Sequence, residues 1–281
     1  MAVKYIDDHT MEPADLEALR QARETLENPT LVIRLSSAFG MPVEAVTREI
    51  GKRAPATVSD AVAESSRKAI EGAVKAAAWT LRSDEPHPPS TKLHTVAAAT
   101  SGAVGGFFGI QGLVVELPVT TGIMFRSMAD IARAEGESPR DAETLINVLQ
   151  VFAIGSGSTT KDDAAETSYY GARLALGKVV TEAMQYVAKH GVGNAAAPAL
   201  VRLTTSIATR FGLVVTQKAM AQAIPVVGAV GGGLVNTVFI SHFQDMARAH
   251  FTIRRLERKY SPERIHAVYS GLPALPAPEE G

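Results

Sequence analysis

Residues 95–115 read TVAAATSGAVGGFFGIQGLVV and residues 219–241 read AMAQAIPVVGAVGGGLVNTVFIS, two stretches without a charged side chain. At a rise of about 1.5 Å per residue, a helix of either length crosses a bilayer core of roughly 30 Å. Both stretches are rich in small residues, which favour close contact between helix backbones. The pattern therefore predicts central Gly/Ala-rich helices, and it leaves open whether they form a soluble core or span a membrane.

The pentapeptide Gly-Ala-Val-Gly-Gly occurs in both stretches, at 102–106 and at 228–232. Gly102 and Gly106 are four residues apart, as are Gly228 and Gly232, so each pair shares one face of a helix. A glycine inside a helix costs about 1 kcal/mol relative to alanine, and packing must offset this cost. We expect these glycines to lie at tight helix crossings, whether in lipid or in a soluble core.

The composition bounds the classes of function. The chain has 281 residues and a net charge of −1, and 46% of its residues are hydrophobic. Non-specific nucleic-acid binding requires a basic field, which this balance does not supply, so we expect no nucleic-acid partner. Cysteine is absent, which excludes disulfides, thiolate catalysis and cysteine-ligated metals.

The pattern along the chain predicts an all-α protein, because no window alternates with a period of two. We expect a single multi-helix, bundle-like domain with two central Gly/Ala-rich helical hairpins. The proposed organisation is an N-terminal helical segment at 1–90, a helical core at 91–270 and a disordered Pro-rich tail at 271–281. The predicted helices are 15–26, 30–40, a helix opening at 41–42, 57–81, 92–117, 118–134, 138–154, 162–190, 194–211, 214–224 and 226–259.

Two breaks and two covering helices are specific expectations. Pro118 is expected to end one helix at Leu117 and to begin the next. A second break is expected between Phe211 and Val214. The amphipathic segments at 57–81 and 162–190 are expected to cover the Gly/Ala-rich helices if these are soluble core.

The first 20 residues contain five acidic side chains and no apolar run, which predicts that the chain carries no signal peptide. We therefore expect a cytoplasmic protein, either soluble or peripheral to the inner membrane. Its expected partners are a membrane surface or a membrane protein.

Glu116 is the leading candidate for chemistry, because it stands alone at the end of the first uncharged stretch. A buried carboxylate there would have a raised pKa and act as a general acid or a metal ligand. The structural alternative is a helix-end carboxylate paired with Arg126 or Lys92. Arg126 is itself a candidate ligand-binding residue, although Asp130 lies one turn away and is expected to pair with it.

The segment 236–255 supplies the other candidates, Asn236, His242 and Asp245. His242 and Asp245 have the i, i+3 spacing of two metal ligands, but two ligands do not make a zinc site, so no metal is predicted. The structural alternative for His242 is a core histidine. We expect Glu116, Asn236 and His242 to approach one another, since each lies about two turns beyond a glycine strip.

Several segments resemble the EcsC family of bacterial proteins. The longest is AIPVVGAVGGGLVN at 223–236, followed by His242-Phe243, His250-Phe251 and Arg254-Arg255-Leu256-Glu257. Gly105-Gly106, Glu116-Leu117-Pro118 (where the family often has Asp-x-Pro), Glu135-Gly136 and Gly40-Met41-Pro42-Val43-Glu44 are also similar. The resemblance covers residues 12–270. It implies poorly characterised, sometimes membrane-associated proteins for which no catalytic residues are established.

The resulting expectation is an accessory or interaction protein near the cytoplasmic membrane rather than an enzyme. One alternative is a hydrolase or metal-dependent enzyme that uses Glu116, His242 and Asp245 between the two hairpins. A further alternative is a protein that binds a lipid or a small molecule between its apolar helices. The sequence predicts no particular cofactor.

Overall fold

The computed structural model describes residues 11–27, 31–42, 62, 64–72, 109–138, 141–156, 169–190, 197–222 and 228–273. Within these residues every regular element is a helix, which confirms the all-α prediction. The helices are α1 (Pro13–Glu27), α2 (Leu31–Phe39), α3 (Gly109–Ala134), α4 (Ala142–Ile154), α5 (Tyr169–His190), α6 (Pro198–Gln222), α7 (Gly228–Tyr260) and α8 (Pro262–Gly271). Residues 64–72 are also helical.

Helix α7 is the central element of the bundle. It has 33 residues, which corresponds to a length of about 50 Å. It packs against α1, α2, α3, α4, α6 and α8. Its buried side chains include Phe239, Phe243 and Phe251, so one helix provides much of the core to which the others attach.

Helices α3 and α7 run parallel to each other. Asn236 bonds to Thr120, Gln244 to Ser127 and Thr252 to Glu135, so residue numbers rise together along both helices. Each helix begins in an uncharged stretch and ends among arginines and glutamates. The pair therefore has an uncharged end and a charged end.

The expected break at Pro118 is wrong, because α3 continues through it. Proline removes one backbone hydrogen bond and clashes with the preceding turn, at a cost of about 3 kcal/mol. The neighbouring side chains are fixed on both sides of the proline, since Leu117 and Thr120 are fully buried. Tertiary packing thus holds the helix together, and the described part of the first predicted hairpin is one helix.

The expected break between Phe211 and Val214 is also wrong. Helix α6 runs without interruption from Pro198 to Gln222, past Gly212. Phe211, Val214 and Val215 are buried and form one apolar face across the glycine. Phe211 contacts Phe243 while Lys218, further along α6, contacts Phe239, so α6 and α7 are antiparallel as the second predicted hairpin requires.

Two turns follow the sequence signals. Gly136 adopts φ = +84°, and the amide of Glu137 donates to the carbonyl of Ala132, which closes α3 with a Schellman motif. Gly40 adopts φ = +62° after α2. No helix is predicted after Lys259, whereas the structure has α8, which begins at Pro262. Ser261 precedes this helix, and its hydroxyl accepts from the amide of Arg264.

The amphipathic helix α5 packs against α4 and α6. It reaches α7 at its first turn, where Tyr169 contacts His250. The glycines at 102–106, the loop at 83–90 and most of 57–81 lie outside the described residues. The side chains around Gly228 and Gly232 are likewise not described. The division at 1–90, 91–270 and 271–281 stays a prediction.

Helix α6 is the only helix among the described residues that is long and apolar enough to cross a membrane. Its window at Pro198–Ala219 has a mean hydropathy of 1.2, and 44% of that window is buried. A core helix of a soluble protein passes the same test. The window nevertheless leaves more of its residues outside the core than inside it.

Candidate functional site

Glu116 lies in the interior, where α3, α6 and α7 meet. Its carboxylate accepts from Lys218 Nζ at 2.6 Å and from Thr120 Oγ1 at 3.1 Å. Asn236 Nδ2 in turn donates to Thr120 Oγ1 at 3.4 Å. We call these four residues, Glu116, Thr120, Lys218 and Asn236, the Glu116 cluster.

Lys218 is the partner that sequence reasoning missed. Its side chain is completely buried, and its Nζ lies 4.9 Å from the centre of the Phe239 ring. Burial lowers the pKa of Lys218, and the adjacent Glu116 carboxylate opposes that shift. Among the described residues, the ion-pair partner of Glu116 is thus a cation from α6 rather than Arg126, and it fastens that helix to α3. Lys92, the other expected partner, lies outside the described residues.

The structure brings Glu116 and Asn236 together, but it places His242 in a separate set of contacts. His242 lies six residues after Asn236, about 9 Å along the axis of α7. Its Nε2 donates to the carbonyl oxygen of Gly155 at 2.7 Å, which fixes the tautomer and ties α7 to the end of α4. Nδ1 has no hydrogen-bond partner among the described residues.

Burial lowers the pKa of His242 to about 4, with the nearby Arg34 adding to the effect. The bond to Gly155 and the charge of Asp245 act in the opposite direction. The ring is therefore neutral at physiological pH. These contacts fit the core histidine that the sequence analysis gave as the structural alternative.

Asp245 and Arg126 lie at the surface. Asp245 is half-exposed and accepts from Arg34 at 2.6 Å and from Arg248 at 2.7 Å. Arg126 is exposed, and Asp130 accepts from Arg133 at 2.7 Å instead of from Arg126. In the part of the chain that the structure describes, no three His, Asp or Glu side chains are placed to hold a metal ion.

The charged end of the α3–α7 pair holds a second set of contacts, which we call the arginine cluster. Its members are Glu135, Glu137, Arg254, Arg255 and Arg258. Arg254 Nε donates to Glu137 at 2.8 Å, Arg258 also binds Glu137, and Arg255 Nε donates to Glu135 at 2.9 Å. The turn after α3 is thereby tied to the last turns of α7.

Asp15 extends the arginine cluster to α1. Its carboxylate accepts from Lys259 at 2.8 Å, from Tyr260 at 2.8 Å and from Arg255 at 3.2 Å. These donors, Lys259 foremost, lower the pKa of Asp15 to about 2. Two helices, α1 and α7, therefore meet at one carboxylate that stays ionised in mild acid.

A third set of contacts joins α5, α7 and α8. Tyr169, Tyr170 and Tyr269 have ring centres 4.9–5.9 Å apart. Arg173 donates to Glu257 at 2.6 Å and to the hydroxyl of Tyr169, which lies 3.0 Å from Nδ1 of the buried His250. Sequence reasoning missed this cluster, although the Tyr169-Tyr170 pair was a signal for it.

No curated protein and no solved structure was found that matches this chain. The model of one protein family, described as the EcsC protein family, matches residues 14–256. This range contains the Glu116 cluster and most of the arginine cluster. The matched range extends over most of the sequence, and the chain therefore belongs to the EcsC protein family.

Proposed function

We propose that this protein is an accessory or interaction protein that works at the cytoplasmic surface of a membrane and performs no chemistry of its own. The observation that carries the proposal is α6, whose window at Pro198–Ala219 is apolar enough for a membrane but only 44% buried. Val201 and Leu213 on this helix are exposed large apolar residues. Apolar surface left outside a core is typical of proteins that bind a membrane or a partner.

The polarity of the α3–α7 pair supports the same proposal. Both helices carry their uncharged stretches at one end and the arginine cluster at the other. Val119 and Leu234, near the uncharged end, are exposed. Lys218 places the C-terminal part of α6 at that end as well, because it pairs with Glu116. An uncharged end and a charged end suit a protein that faces lipid on one side.

The enzyme alternative draws no support from the contacts of its three proposed residues. Glu116 is bonded to Lys218 and Thr120, His242 to Gly155, and Asp245 to two surface arginines. A general acid–base mechanism needs its groups within reach of one substrate atom. These three side chains are instead distributed among a buried ion pair, a helix end and the surface. No contact among the described residues favours the alternative in which the apolar helices enclose a lipid or a small molecule between them.

The proposal is tested by cell fractionation after expression without detergent. We expect the protein in the membrane fraction at low salt and its release by carbonate at high pH, since a peripheral protein is not inserted. Recovery in the soluble fraction at every salt concentration would contradict the membrane location. Resistance to carbonate extraction would show a spanning protein and would contradict the peripheral mode.

A further inference from the structure

We propose that the outer face of the helical hairpin formed by α5 and α6 binds anionic lipid at a membrane surface. This inference rests on the proposed function and names the surface and the lipid chemistry. The hairpin is antiparallel, because Glu182 on α5 pairs with Arg202 on α6 at 2.8 Å across the link between them. By the same register, Leu174 lies at the level of Arg210.

The hairpin is strongly basic in a chain that is nearly neutral. Residues 169–222 contain six Lys or Arg side chains and a single acidic one, Glu182. The whole chain has a net charge of −1, so the remaining residues are acidic overall. This separation of charge is the first observation that points to an anionic partner.

Three of the six cations form ion pairs within the chain. Arg173 pairs with Glu257, Lys218 with Glu116, and Arg202 with Glu182. The other three cations are Lys178, Lys189 and Arg210, for which the described part of the structure contains no ion-pair partner. Lys178 and Lys189 are exposed and Arg210 is half-buried. The exposure of Lys178 and Lys189 makes their charge accessible to an anionic surface.

Large apolar side chains are exposed on the same two helices. Leu174 is 83% exposed, Leu213 is 59% exposed and Val201 is 38% exposed. Leu174 and Lys178 are one turn apart on α5, and Arg210 and Leu213 are one turn apart on α6. Each helix therefore presents leucine beside a cation. Binding to a membrane surface combines such apolar insertion with attraction to anionic headgroups.

The threonine hydroxyls on these helices have internal hydrogen bonds, which lower the free-energy cost of moving the outer face from water into lipid. Thr181 and Thr209 are exposed, and Thr216 is half-buried. Each hydroxyl donates to the carbonyl oxygen four residues earlier, at 2.8 to 2.9 Å. A hydroxyl that already has an internal partner is less costly to transfer to an apolar environment. The outer face is therefore more compatible with lipid than its polar residues suggest.

The mixture of groups favours lipid over nucleic acid. A nucleic-acid surface needs cations along a phosphate backbone and gains little from exposed leucines. An anionic membrane uses both kinds of side chain, so removal of either kind should weaken binding. This dependence on both leucine and cation separates the two kinds of partner experimentally.

The test is co-sedimentation of the full chain with vesicles of phosphatidylcholine, alone or with about one third phosphatidylglycerol. One variant combines Leu174→Ser with Leu213→Ser, and another combines Lys178→Gln, Lys189→Gln and Arg210→Gln. The matched controls are Ile33→Ser on α2 and Arg20→Gln on α1, which are exposed apolar and basic residues on helices other than α5 and α6. Melting temperatures verify that all variants fold.

We expect binding only to the vesicles that contain phosphatidylglycerol. The partition coefficient onto these vesicles should fall about tenfold or more in the leucine variant. Each cation removed should lower it about fivefold. The controls should bind like the original chain.

The failures are distinguishable. A chain that binds neither kind of vesicle would overturn both the proposed function and this inference. Equal binding of the original chain, both variants and the controls would overturn only the assignment to the hairpin. Equal binding to neutral and anionic vesicles would overturn only the preference for anionic lipid. The protein could instead bind a short DNA duplex in a way that depends on the cations but not on the leucines. That result would contradict a lipid partner and would indicate a nucleic-acid partner.

Discussion

The Glu116 cluster and the arginine cluster both join α3 to α7, at opposite ends of the same helix pair, yet they do so in different ways. Among the described residues the first has one anion and one cation, both buried. The second has two carboxylates and three arginines, and Arg255 and Arg258 are partly exposed with several alternative partners. We therefore expect burial, rather than the number of bonds, to set the free energy lost when one partner is removed.

The largest effect is expected for Lys218→Met. Methionine keeps the apolar stem of the side chain but leaves the Glu116 carboxylate buried without its cation. Breaking a buried pair in this way costs about 3–5 kcal/mol. Urea denaturation measures the change in the free energy of unfolding. Lys68→Met is the control, because Lys68 pairs with Glu64 at the surface. A loss of unfolding free energy no larger than that of the control would contradict the larger effect expected for the buried Glu116 cluster.

The next effect is a dependence of stability on pH that arises from the buried histidines. In the unfolded chain His242 binds a proton near pH 6.5, whereas in the folded protein its pKa is about 4 because of burial. The contribution of the neutral His242 to the free energy of unfolding is therefore fully present above pH 6.5. It is lost as the pH falls toward 4, by on the order of 3 kcal/mol. Burial shifts the pKa of His250 in the same direction.

Melting temperatures between pH 7 and pH 5 measure this dependence. His242→Gln should reduce the slope, while His266→Gln, at an exposed position, should leave it unchanged. An unchanged slope in the His242 variant would show that this ring is accessible to protons in the folded state.

An intermediate effect is expected for Gly155→Ala, at the backbone group that holds His242. An added Cβ would lie 2.8 Å from Phe243 Cε1, in a ring cluster that has no room to move. Overpacking of this kind costs about 1–3 kcal/mol. Gly177→Ala is the matched control, because nothing lies within 4 Å of its Cβ position, and it should gain up to about 1 kcal/mol. Thermal unfolding that gives the same sign for both variants would contradict the packing around Phe243.

The smallest effect is expected for Arg255→Gln in the arginine cluster. Arg255 binds Glu135 and Asp15, but each of these carboxylates keeps other donors, among them Thr252 and Lys259. Exposed ion pairs contribute about 0–1 kcal/mol. A loss of unfolding free energy equal to that of Lys218→Met would mean that the arginine cluster is not redundant.

The fold class and many helix ends could be predicted because their signals are local. Gly40 and Gly136 end helices where the sequence places them, since both adopt positive φ that other residues avoid. Pro118 and the Phe211–Val214 region were misjudged because tertiary packing outweighs the local preference there. Helix α8 was overlooked although Ser261-Pro262-Glu263 is a recognisable helix start.

The candidate site was only partly predictable. The approach of Glu116 and Asn236 followed from pairing the two uncharged stretches, but Lys218 comes from a third helix. A signal for it exists, because Lys218 is the only charged residue between Arg210 and Asp245, as Glu116 is between Lys92 and Arg126. Two isolated side chains of opposite charge in apolar surroundings are expected to form an ion pair. No comparable signal in the sequence indicates that His242 contacts Gly155 rather than Glu116.

The most direct test of the central claim, that the Glu116 cluster is an internal structural contact, is a double-mutant cycle. Glu116→Gln, Lys218→Met and their combination are compared with the original chain by urea denaturation. We expect a coupling free energy of at least about 2 kcal/mol, with the double variant no less stable than the less stable of the two single variants. Losses that add to within about 0.5 kcal/mol would contradict it, because the two side chains would then not depend on each other.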